Sequence, residues 1–249
     1  MSNMLLNSRR LALPVFIVLP LILTAYSFAG ISPKEVREFE VERAKAMGGD
    51  SIAQLKLGFC YQTSRGVKMD AAEAAKWYRK SAEQGDARAQ SKLGDCYANG
   101  FGVVKNIVEA MRWYRAAAEQ GIAGAQYNLG QSYRTGEGSK KDLGEAVKWY
   151  RKSAEQGFIP ALKNLGVCYA NGDGVDQNLA EAYVCFVLVG QADDDARNNL
   201  AALEKALSPR DKVRARQRAK KIQEGIGGGL VAPDDLLKEI ECETARKGA

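Results

Sequence analysis

The sequence predicts an all-α protein, a right-handed α-solenoid of stacked helix-turn-helix hairpins. The main observation is a repeat, because the tripeptide Trp-Tyr-Arg begins at Trp77, Trp113 and Trp149, at a constant interval of 36 residues. A Leu-Gly pair follows the same interval and begins at Leu57, Leu93, Leu129 and Leu165. Within each unit, two stretches with helical spacing of apolar residues are separated by glycines. A fixed period of this size is typical of stacked supersecondary units.

Each unit predicts two helices. Helix A is predicted around residues 89–97, where Ala, Leu and Tyr recur every four residues and form one apolar stripe. Residues 99–102, Asn-Gly-Phe-Gly, end it, because glycine readily adopts the positive φ found after a helix. Helix B is predicted around residues 110–118, where Ala, Tyr and Ala have the same spacing, and Gly121 ends it. Each repeat is therefore a hairpin with two short turns.

The remaining elements are predicted in chain order. Residues 30–50 predict a leading helix, in which Ala46 and Gly49 hold the register of the later units. Four hairpins come next, over residues 51–85, 86–121, 122–157 and 158–191. Residues 192–224 predict a capping hairpin without the repeat motif, where Ser208 is an N-cap and Pro209 the first helical residue. A glycine-rich linker, residues 225–232, and a short C-terminal helix and tail, residues 233–249, complete the chain.

Several recurring positions are predicted to be structural. Gly94 and its equivalents lie in the middle of helix A, where glycine costs about 1 kcal/mol relative to alanine, so a close helix crossing is expected there. The Trp column is assigned to the core between repeats and not to a ligand-stacking surface. The Glu-Gln pairs at 83–84, 119–120 and 155–156 recur near helix ends, and we expect them to be structural and not catalytic.

The repeated motif leads to a family. It reads Ala-x-x-x-Leu-Gly-x-x-Tyr-x-x-Gly-x-Gly-Val, then Glu-Ala-x-x-Trp-Tyr-Arg-Lys-x-Ala-Glu-Gln-Gly, and it resembles the Sel-1-like repeat, a relative of the tetratricopeptide repeat. The resemblance covers residues 51–191. The fourth unit departs from it, because Cys185 and Phe186 replace Trp-Tyr, and its helix B is expected to be buried against the next segment of the chain. Some cysteine-rich relatives bind or hydrolyse β-lactams, but the cysteines that would fall at Ala82 and Ala118 are absent.

The first 29 residues predict an export signal. An arginine pair precedes an uncharged apolar run over residues 11–28, and Ser27 and Ala29 have the spacing that signal peptidase accepts. Cleavage after Ala29 would release a periplasmic or secreted chain. The alternative is an uncleaved N-terminal anchor in the inner membrane, since the run reaches about the 18-residue minimum for a membrane span. No cysteine follows the run to carry a lipoprotein anchor.

Composition excludes several classes of function. The 249 residues are 46% hydrophobic and 27% charged, as in an ordinary globular protein, and they contain no histidine. Catalytic triads and metal sites that need histidine are therefore excluded. Without the two leader arginines, 34 basic and 30 acidic residues leave a net charge of +4. Residues 210–224 alone sum to +5, so the remainder of the chain is close to neutral. No nucleic-acid-reading module is present, so no nucleic-acid partner is expected.

Acidic and cysteine residues give no catalytic site, metal site or cofactor. Asp193, Asp194 and Asp195 precede a predicted helix, where they complement the helix dipole; a weak divalent-ion site is the alternative.

Five cysteines leave the disulfide pattern open at one place. Cys60 and Cys96 occupy equivalent helices about 8 to 10 Å apart, too far for a disulfide, which needs Cα atoms within about 7 Å. Buried free thiols are expected. A Cys168–Cys185 bridge within one hairpin is the alternative.

A binding groove is predicted on the concave face of helices A, by analogy with tetratricopeptide geometry. Helix-A positions that vary between repeats are its candidate contacts, because the recurring positions pack the core. In the first repeat they would form an apolar shelf, and in the middle they offer hydrogen-bond donors and a flat ring. Two asparagines would pair with a bound peptide backbone or make a hydrogen bond within the helix. The candidates are Ile52, Leu55, Phe59, Arg88, Ser91, Asp95, Tyr127, Asn128, Gln131, Arg134, Lys163 and Asn164.

The expected function is that of a non-catalytic exported adaptor or scaffold, a monomer that binds a protein or an extended peptide through this groove. One alternative is a cell-envelope factor that binds or assembles peptidoglycan or exopolysaccharide. Another is a periplasmic regulator of a membrane sensor, or a secreted protein associated with virulence. A further interpretation makes the basic helix of residues 210–221 a contact for anionic lipid or nucleic acid.

Overall fold

The computed structural model describes residues 32–190 and 193–225. This part of the chain consists of helices joined by short turns and forms the predicted all-α solenoid. The predicted leader, the linker beyond Gly225 and the C-terminal helix lie outside the described residues. The helices are α1 (Pro33–Met47), α2 (Ser51–Thr63), α3 (Ala71–Glu83), α4 (Ala87–Asn99), α5 (Ile107–Glu119), α6 (Ala123–Thr135), α7 (Leu143–Glu155), α8 (Ile159–Asn171), α9 (Leu179–Val189), α10 (Asp194–Ala206) and α11 (Pro209–Gly225).

Capping residues set the length of the repeat helices. Helices A of the first two repeats, α2 and α4, begin at Asp50 and Asp86, whose carboxylates accept from the backbone N–H three residues on. Each helix B begins at Asp or Asn with the same contact, and a glutamate follows in its first turn. Glycine in the left-handed conformation ends α4, α6 and α8, whereas Ser64 takes this position after α2.

A second glycine in each turn between helices A and B controls the spacing of the repeats. Gly102 has φ of 69°, and a Cβ built on it would lie 1.8 Å from the Ala71 carbonyl oxygen, at the start of the preceding helix B. Only glycine therefore permits this approach.

The predicted close crossing of helices A and B is confirmed. A Cβ on Gly94 would lie 2.6 Å from two ring carbons of Tyr114, so the tyrosine ring packs directly on the α4 backbone. Gly58 and Gly130 have the same contact with Tyr78 and Tyr150. The tyrosine rings are buried, and each fills the space left by the missing side chain.

The Trp column packs between repeats as predicted, though not uniformly. Trp77 and Trp149 are 8% and 7% exposed, whereas Trp113 is only partly buried against the core of the preceding repeat. A basic side chain covers each ring: Lys80 lies 4.0 Å from the ring centroid of Trp77, and Lys152 lies 4.1 Å from that of Trp149.

The glutamines of the recurring Glu-Gln pairs are structural, as predicted. Gln120 at the end of α5 donates to the buried side-chain oxygen of Gln90 at 2.8 Å. Gln90 in turn donates to the carbonyl of Ala82, 3.3 Å away in the preceding helix B. The neighbouring repeats contain the same chain of contacts, so these amides connect each repeat to the one before it.

The last hairpin covers the end of the stack. Helix α9 packs against α8, α10 and α11, and its residues Val184, Cys185 and Phe186 are buried, which confirms the predicted burial of the fourth helix B. Cys185 and Phe186 lie against Gly166 of α8. At its edge Arg216 donates to the Tyr183 hydroxyl at 2.9 Å. No helix in the described ranges is both long and apolar enough to cross a membrane.

Candidate functional site

In the described part of the chain, cavities lie along the face formed by helices A, here called the A face. The first, of about 430 Å³, lies between α1 and α2 and contains Phe39, Phe59 and Cys60 among charged side chains of both signs. The predicted apolar shelf is only partly present beside it. Ile52 is 41% exposed and Phe59 lines the cavity, but Leu55 is 1% exposed and is not a surface residue.

The assignment of Leu55 to the groove is therefore wrong. Its side chain belongs to the core cluster of Tyr78, Ala89 and Leu93, between the first and second repeats. The equivalent positions hold Ser91, Tyr127 and Lys163, which keep contact with solvent. An apolar side chain at this boundary position is buried with the core, because burial removes its surface from water.

The central cavity, about 350 Å³, contains five of the predicted groove residues. They are Arg88, Ser91, Asp95, Tyr127 and Asn128. Lys92 from α4 also lines it, and Ile122, Phe158 and Pro160 contribute apolar side chains. The structure thus brings the predicted middle of the groove together in one concave site.

The wall of Ile122 and Phe158 was not predicted, although the sequence contains a signal for it. Both occupy the N-cap position that Asp50 and Asp86 hold in the earlier repeats, and neither provides a side-chain cap. Loss of such a cap costs about 1 kcal/mol. An apolar residue at this position therefore has a packing or binding role, and Phe158 indeed packs on the Tyr127 ring with centroids 5.5 Å apart.

Hydrogen bonds fix the polar side of the central cavity. The Tyr114 hydroxyl donates to Asp95 Oδ1 at 2.9 Å, and Asn128 Nδ2 donates to the same oxygen at 3.4 Å. Lys92 Nζ lies 3.7 Å from Asp95 Oδ2. Desolvation by the surrounding protein raises the pKa of Asp95, and Lys92 and the Tyr114 hydroxyl partly offset this effect. Burial, with the charge of Asp95, also raises the pKa of Tyr114.

The next repeat has a neutral version of this network. Gln131 replaces Asp95 and accepts from the Tyr150 hydroxyl and, at 3.1 Å, from Asn164 Nδ2. Both asparagines of the predicted column thus bond to the preceding repeat and not to their own helix. Each amide group therefore already donates one hydrogen bond within the protein.

The last predicted residues lie toward the capping hairpin. Arg134 and Asn164 line a third cavity of about 260 Å³, and Arg134 Nε donates to Gln131 at 2.9 Å. Lys163 is not an open groove residue, because its ammonium pairs with Asp193 at 3.0 Å and Asp195 at 2.6 Å. These contacts raise the pKa of Lys163. Asp193 also accepts from the Ala196 N–H at 2.8 Å, so the interpretation of the acidic run as a helix N-terminus is confirmed.

The described cysteines are buried free thiols. The alternative Cys168–Cys185 disulfide is therefore wrong, and the expected core role of these residues is confirmed. Burial raises the pKa of Cys168 to about 11 and that of Cys185 to about 12, so neither is a ready thiolate nucleophile. Across residues 32–190 and 193–225, no three acidic or cysteine side chains meet as a metal ligand set.

Comparison with known proteins identifies the repeat. The profile of the Sel1 repeat matches residues 51–86, 87–122, 123–158 and 159–187. The chain belongs to the Sel1 repeat family. Sel1 repeats generally mediate protein–protein interaction, and the solenoids they form are generally non-catalytic. Curated proteins include no match to this chain.

Two solved structures of Sel1 repeat proteins resemble this one. A Sel1 repeat protein from Oxalobacter formigenes is 33% identical with a TM-score of 0.62, and the alignment covers 74% of this chain and 81% of that protein. The protein c5321, a protective antigen of uropathogenic Escherichia coli strains, is 27% identical with a TM-score of 0.68. That alignment covers 94% of this chain but 53% of c5321, so this chain spans about half the length of that relative.

Proposed function

We propose that this Sel1 repeat protein is an exported, non-catalytic adaptor that binds a polypeptide segment through its A face. The observation that carries the proposal is the central cavity, which is lined by apolar side chains and by hydrogen-bonding groups together. This combination suits a peptide, which presents apolar side chains and polar backbone groups together. The interaction role general to Sel1 repeats supports the same conclusion.

The helical framework leaves the A face available for such a partner. The Tyr, Gly and Gln columns are committed to contacts within and between repeats. Arg88, Ser91 and Tyr127 differ from repeat to repeat and line the cavity. Tyrosine and arginine also contribute strongly to binding energy in protein interfaces.

Affinity capture from an envelope fraction tests the A face directly. The bait variant Arg88→Glu/Arg134→Glu reverses two cations that line the central and third cavities. The matched control, Lys105→Glu/Lys140→Glu, makes the same charge change at two exposed turn residues that line none of these cavities. Tyr127 is left intact, because its ring packs on Tyr150 and Phe158.

A partner retained by the parent and by the turn control, but lost by the cavity variant, is the expected result. Circular dichroism must show that all three baits are equally helical. Equal capture by all three would place binding elsewhere and refute the adaptor proposal in this form. Retention of envelope glycan and of no protein would favour the glycan alternative.

Export is proposed from the sequence of residues 1–29. The intact mass of the chain recovered from the envelope fraction tests it. Loss of the first 29 residues is the expected result for a cleaved signal. Recovery of the full-length chain from the cytoplasmic fraction would refute export, whereas a full-length chain in the membrane fraction would indicate the anchor alternative.

A further inference from the structure

The capping hairpin ends the solenoid with a strongly basic helix. Helix α11 contains seven basic and two acidic residues, a net charge of +5. Helix α1, at the opposite end of the stack, contains four basic and four acidic residues, and ion pairs join its neighbouring turns. Both helices expose one side to solvent. An exposed end of the solenoid therefore needs no excess of positive charge, and the composition of α11 requires a separate explanation.

Acidic groups near α11 neutralise only part of its charge. Three of its basic residues form ion pairs with carboxylates: Arg216 with Glu204, Arg218 with Glu181, and Lys220 with Glu224. Asp211 is the remaining acidic residue of the helix, and its carboxylate accepts from the Ser208 hydroxyl at the N-terminus of α11. These four carboxylates against seven cations leave three positive charges.

The uncompensated cations lie on the exposed side of α11. They are Arg210, Arg214 and Lys221, here called the basic stripe. In the described part of the chain their side chains form no ion pair or hydrogen bond, and all three residues are exposed. Spacings of four and seven residues place them along one side of the helix. Ala215 and Ala219, which are 4% and 2% exposed, lie on the other side and belong to the core cluster that α9 shares, so the basic stripe faces away from the solenoid.

The basic stripe reduces the stability of its own helix. Arg210 and Arg214 are four residues apart and repel each other, as like charges at this spacing do. Arg210 also lies in the first turn of α11, where the positive end of the helix dipole disfavours a cation. An arrangement that costs stability and makes no contact within the described chain indicates an anionic partner.

We propose that the basic stripe binds the surface of a membrane that contains anionic lipids. Clusters of basic residues on an exposed helix are attracted to anionic headgroups. Helix α11 is about 25 Å long and covers the end of the stack, so a flat surface contacts its exposed side along the whole length. Because its apolar side is already packed in the core, the contact is electrostatic, and α11 lies on the headgroups without entering the acyl region.

The surroundings of the basic stripe favour a lipid surface over other anions. Helix α11 contains no aromatic residue on which a nucleic-acid base could stack. The proposed export also separates the chain from the nucleic acids of the cell. An acidic peptide segment needs a concave site with apolar contacts, whereas the basic stripe lies outside the A-face cavities described above. A membrane surface requires neither feature.

Cosedimentation with lipid vesicles tests the proposal. The chain as isolated from cells is mixed with vesicles of phosphatidylcholine, with or without phosphatidylglycerol, at low and at physiological ionic strength. The neutral vesicles measure any binding through an apolar leader, so the ratio of the two partition coefficients reports the effect of lipid charge. Each basic residue near an anionic surface contributes about a factor of five, so three should raise this ratio to about 100 at low salt. The ratio should fall as salt is added.

Two variants of the basic stripe separate charge from side-chain geometry. Arg210→Gln/Arg214→Gln/Lys221→Gln should lower the ratio by about 100-fold, because all three charges are removed. Arg210→Lys/Arg214→Lys keeps the charges and should bind as the parent does, since a lipid surface does not need the planar guanidinium group. Circular dichroism checks that both variants are as helical as the parent.

The matched control is Lys68→Gln/Lys105→Gln/Lys140→Gln, which removes the same charge from exposed turn residues and should bind as the parent does. Equal binding of the parent to neutral and anionic vesicles would overturn the proposal. So would an equal loss in the stripe and turn variants, because binding would then follow net charge alone. A lower Kd of the parent for duplex DNA or for polyglutamate than for anionic vesicles, at the same salt, would assign the basic stripe to that partner instead.

The basic stripe and the A face are separate surfaces, so the two proposals can fail separately. The stripe variant should capture the same polypeptide partner as the parent, because it leaves every residue of the A-face cavities unchanged. Loss of vesicle binding with retained capture is the expected pattern for this variant. Vesicle binding that does not depend on the stripe would overturn the membrane contact and leave the adaptor proposal in place.

Discussion

Substitution of alanine for Gly94 tests whether the close crossing of α4 and α5 fixes the geometry of a repeat. The added Cβ would lie 2.6 Å from Cδ1 and Cε1 of Tyr114, closer than carbon atoms approach in folded proteins. Overpacking of this kind costs about 1 to 3 kcal/mol. Displacement of the ring also weakens the bond from the Tyr114 hydroxyl to Asp95, worth about 1 kcal/mol.

Against these costs, alanine is favoured over glycine inside a helix by about 1 kcal/mol. The net expectation is a loss of about 2 kcal/mol in the free energy of unfolding. For a protein of this size, such a loss lowers Tm by about 4 to 8 °C. Thermal and urea unfolding followed by circular dichroism measure both quantities.

Gly144→Ala is the matched control. Gly144 lies near the start of α7, where an added Cβ would meet its nearest atoms at 3.4 and 3.9 Å, an ordinary contact. This variant should be stabilised by up to about 1 kcal/mol. If Gly94→Ala were as stable as Gly144→Ala, the crossing would tolerate a side chain and the packing argument for the glycine column would be wrong.

Three further predictions concern charge, packing and thiols. The variant Asp95→Asn keeps a side-chain oxygen that accepts the hydrogen bond from Tyr114. Because the pKa of Asp95 is raised in the folded state, the free energy of unfolding of the parent falls as pH rises from about 4 through that pKa. The variant should gain on the parent between pH 3.5 and 7, by about 1 kcal/mol or less since the carboxylate keeps solvent contact; no pH trend in urea unfolding would refute this. Trp149→Ala should lower the free energy of unfolding by about 3 to 5 kcal/mol, and Trp113→Ala by about 2 kcal/mol because Trp113 is less buried. Equal losses in the two variants would contradict this difference in burial. Iodoacetamide at pH 8 should leave the four buried cysteines of the native chain unmodified, as measured by peptide mass mapping; these are Cys60, Cys96, Cys168 and Cys185. Rapid alkylation of any of them would refute its burial.

Most of the fold could be predicted because the same signals for a helical hairpin recur in each repeat. The 36-residue period, the Leu-Gly pairs and the turn glycines each predict the same hairpin, and consistency across local signals is typical of a sequence with one fold. The contact of Gly94 with an aromatic ring follows the same logic, since a glycine kept in mid-helix needs a compensating neighbour. These positions recur, so each repeat provides an independent test of the prediction.

The errors concern positions where a helical wheel does not determine the direction of a side chain. Leu55 lies at the boundary between the A face and the core, and its apolar side chain joins the core, whereas Ser91 at the equivalent position lines the cavity. Lys163 was predicted to be open because its helix-A position varies between repeats, and its ion pairs were missed because Asp193 and Asp195 belong to a hairpin outside the repeat pattern. Cys168 and Cys185 lie in one core cluster, yet spacing alone does not reveal whether two sulfur atoms meet.

Departures from the repeat are the strongest guide to where this solenoid binds. Ile122 and Phe158 stand where Asp86 caps α4, and two helices thereby give up a cap worth about 1 kcal/mol each. Burial offsets this loss at one of the two positions, because Phe158 is 4% exposed and belongs to the core cluster of Val147 and Leu162. The two apolar residues also line the same cavity as Arg88 and Lys92. These departures from the repeat therefore meet at one cavity lined by the second, third and fourth repeats, which is where the proposed partner site lies.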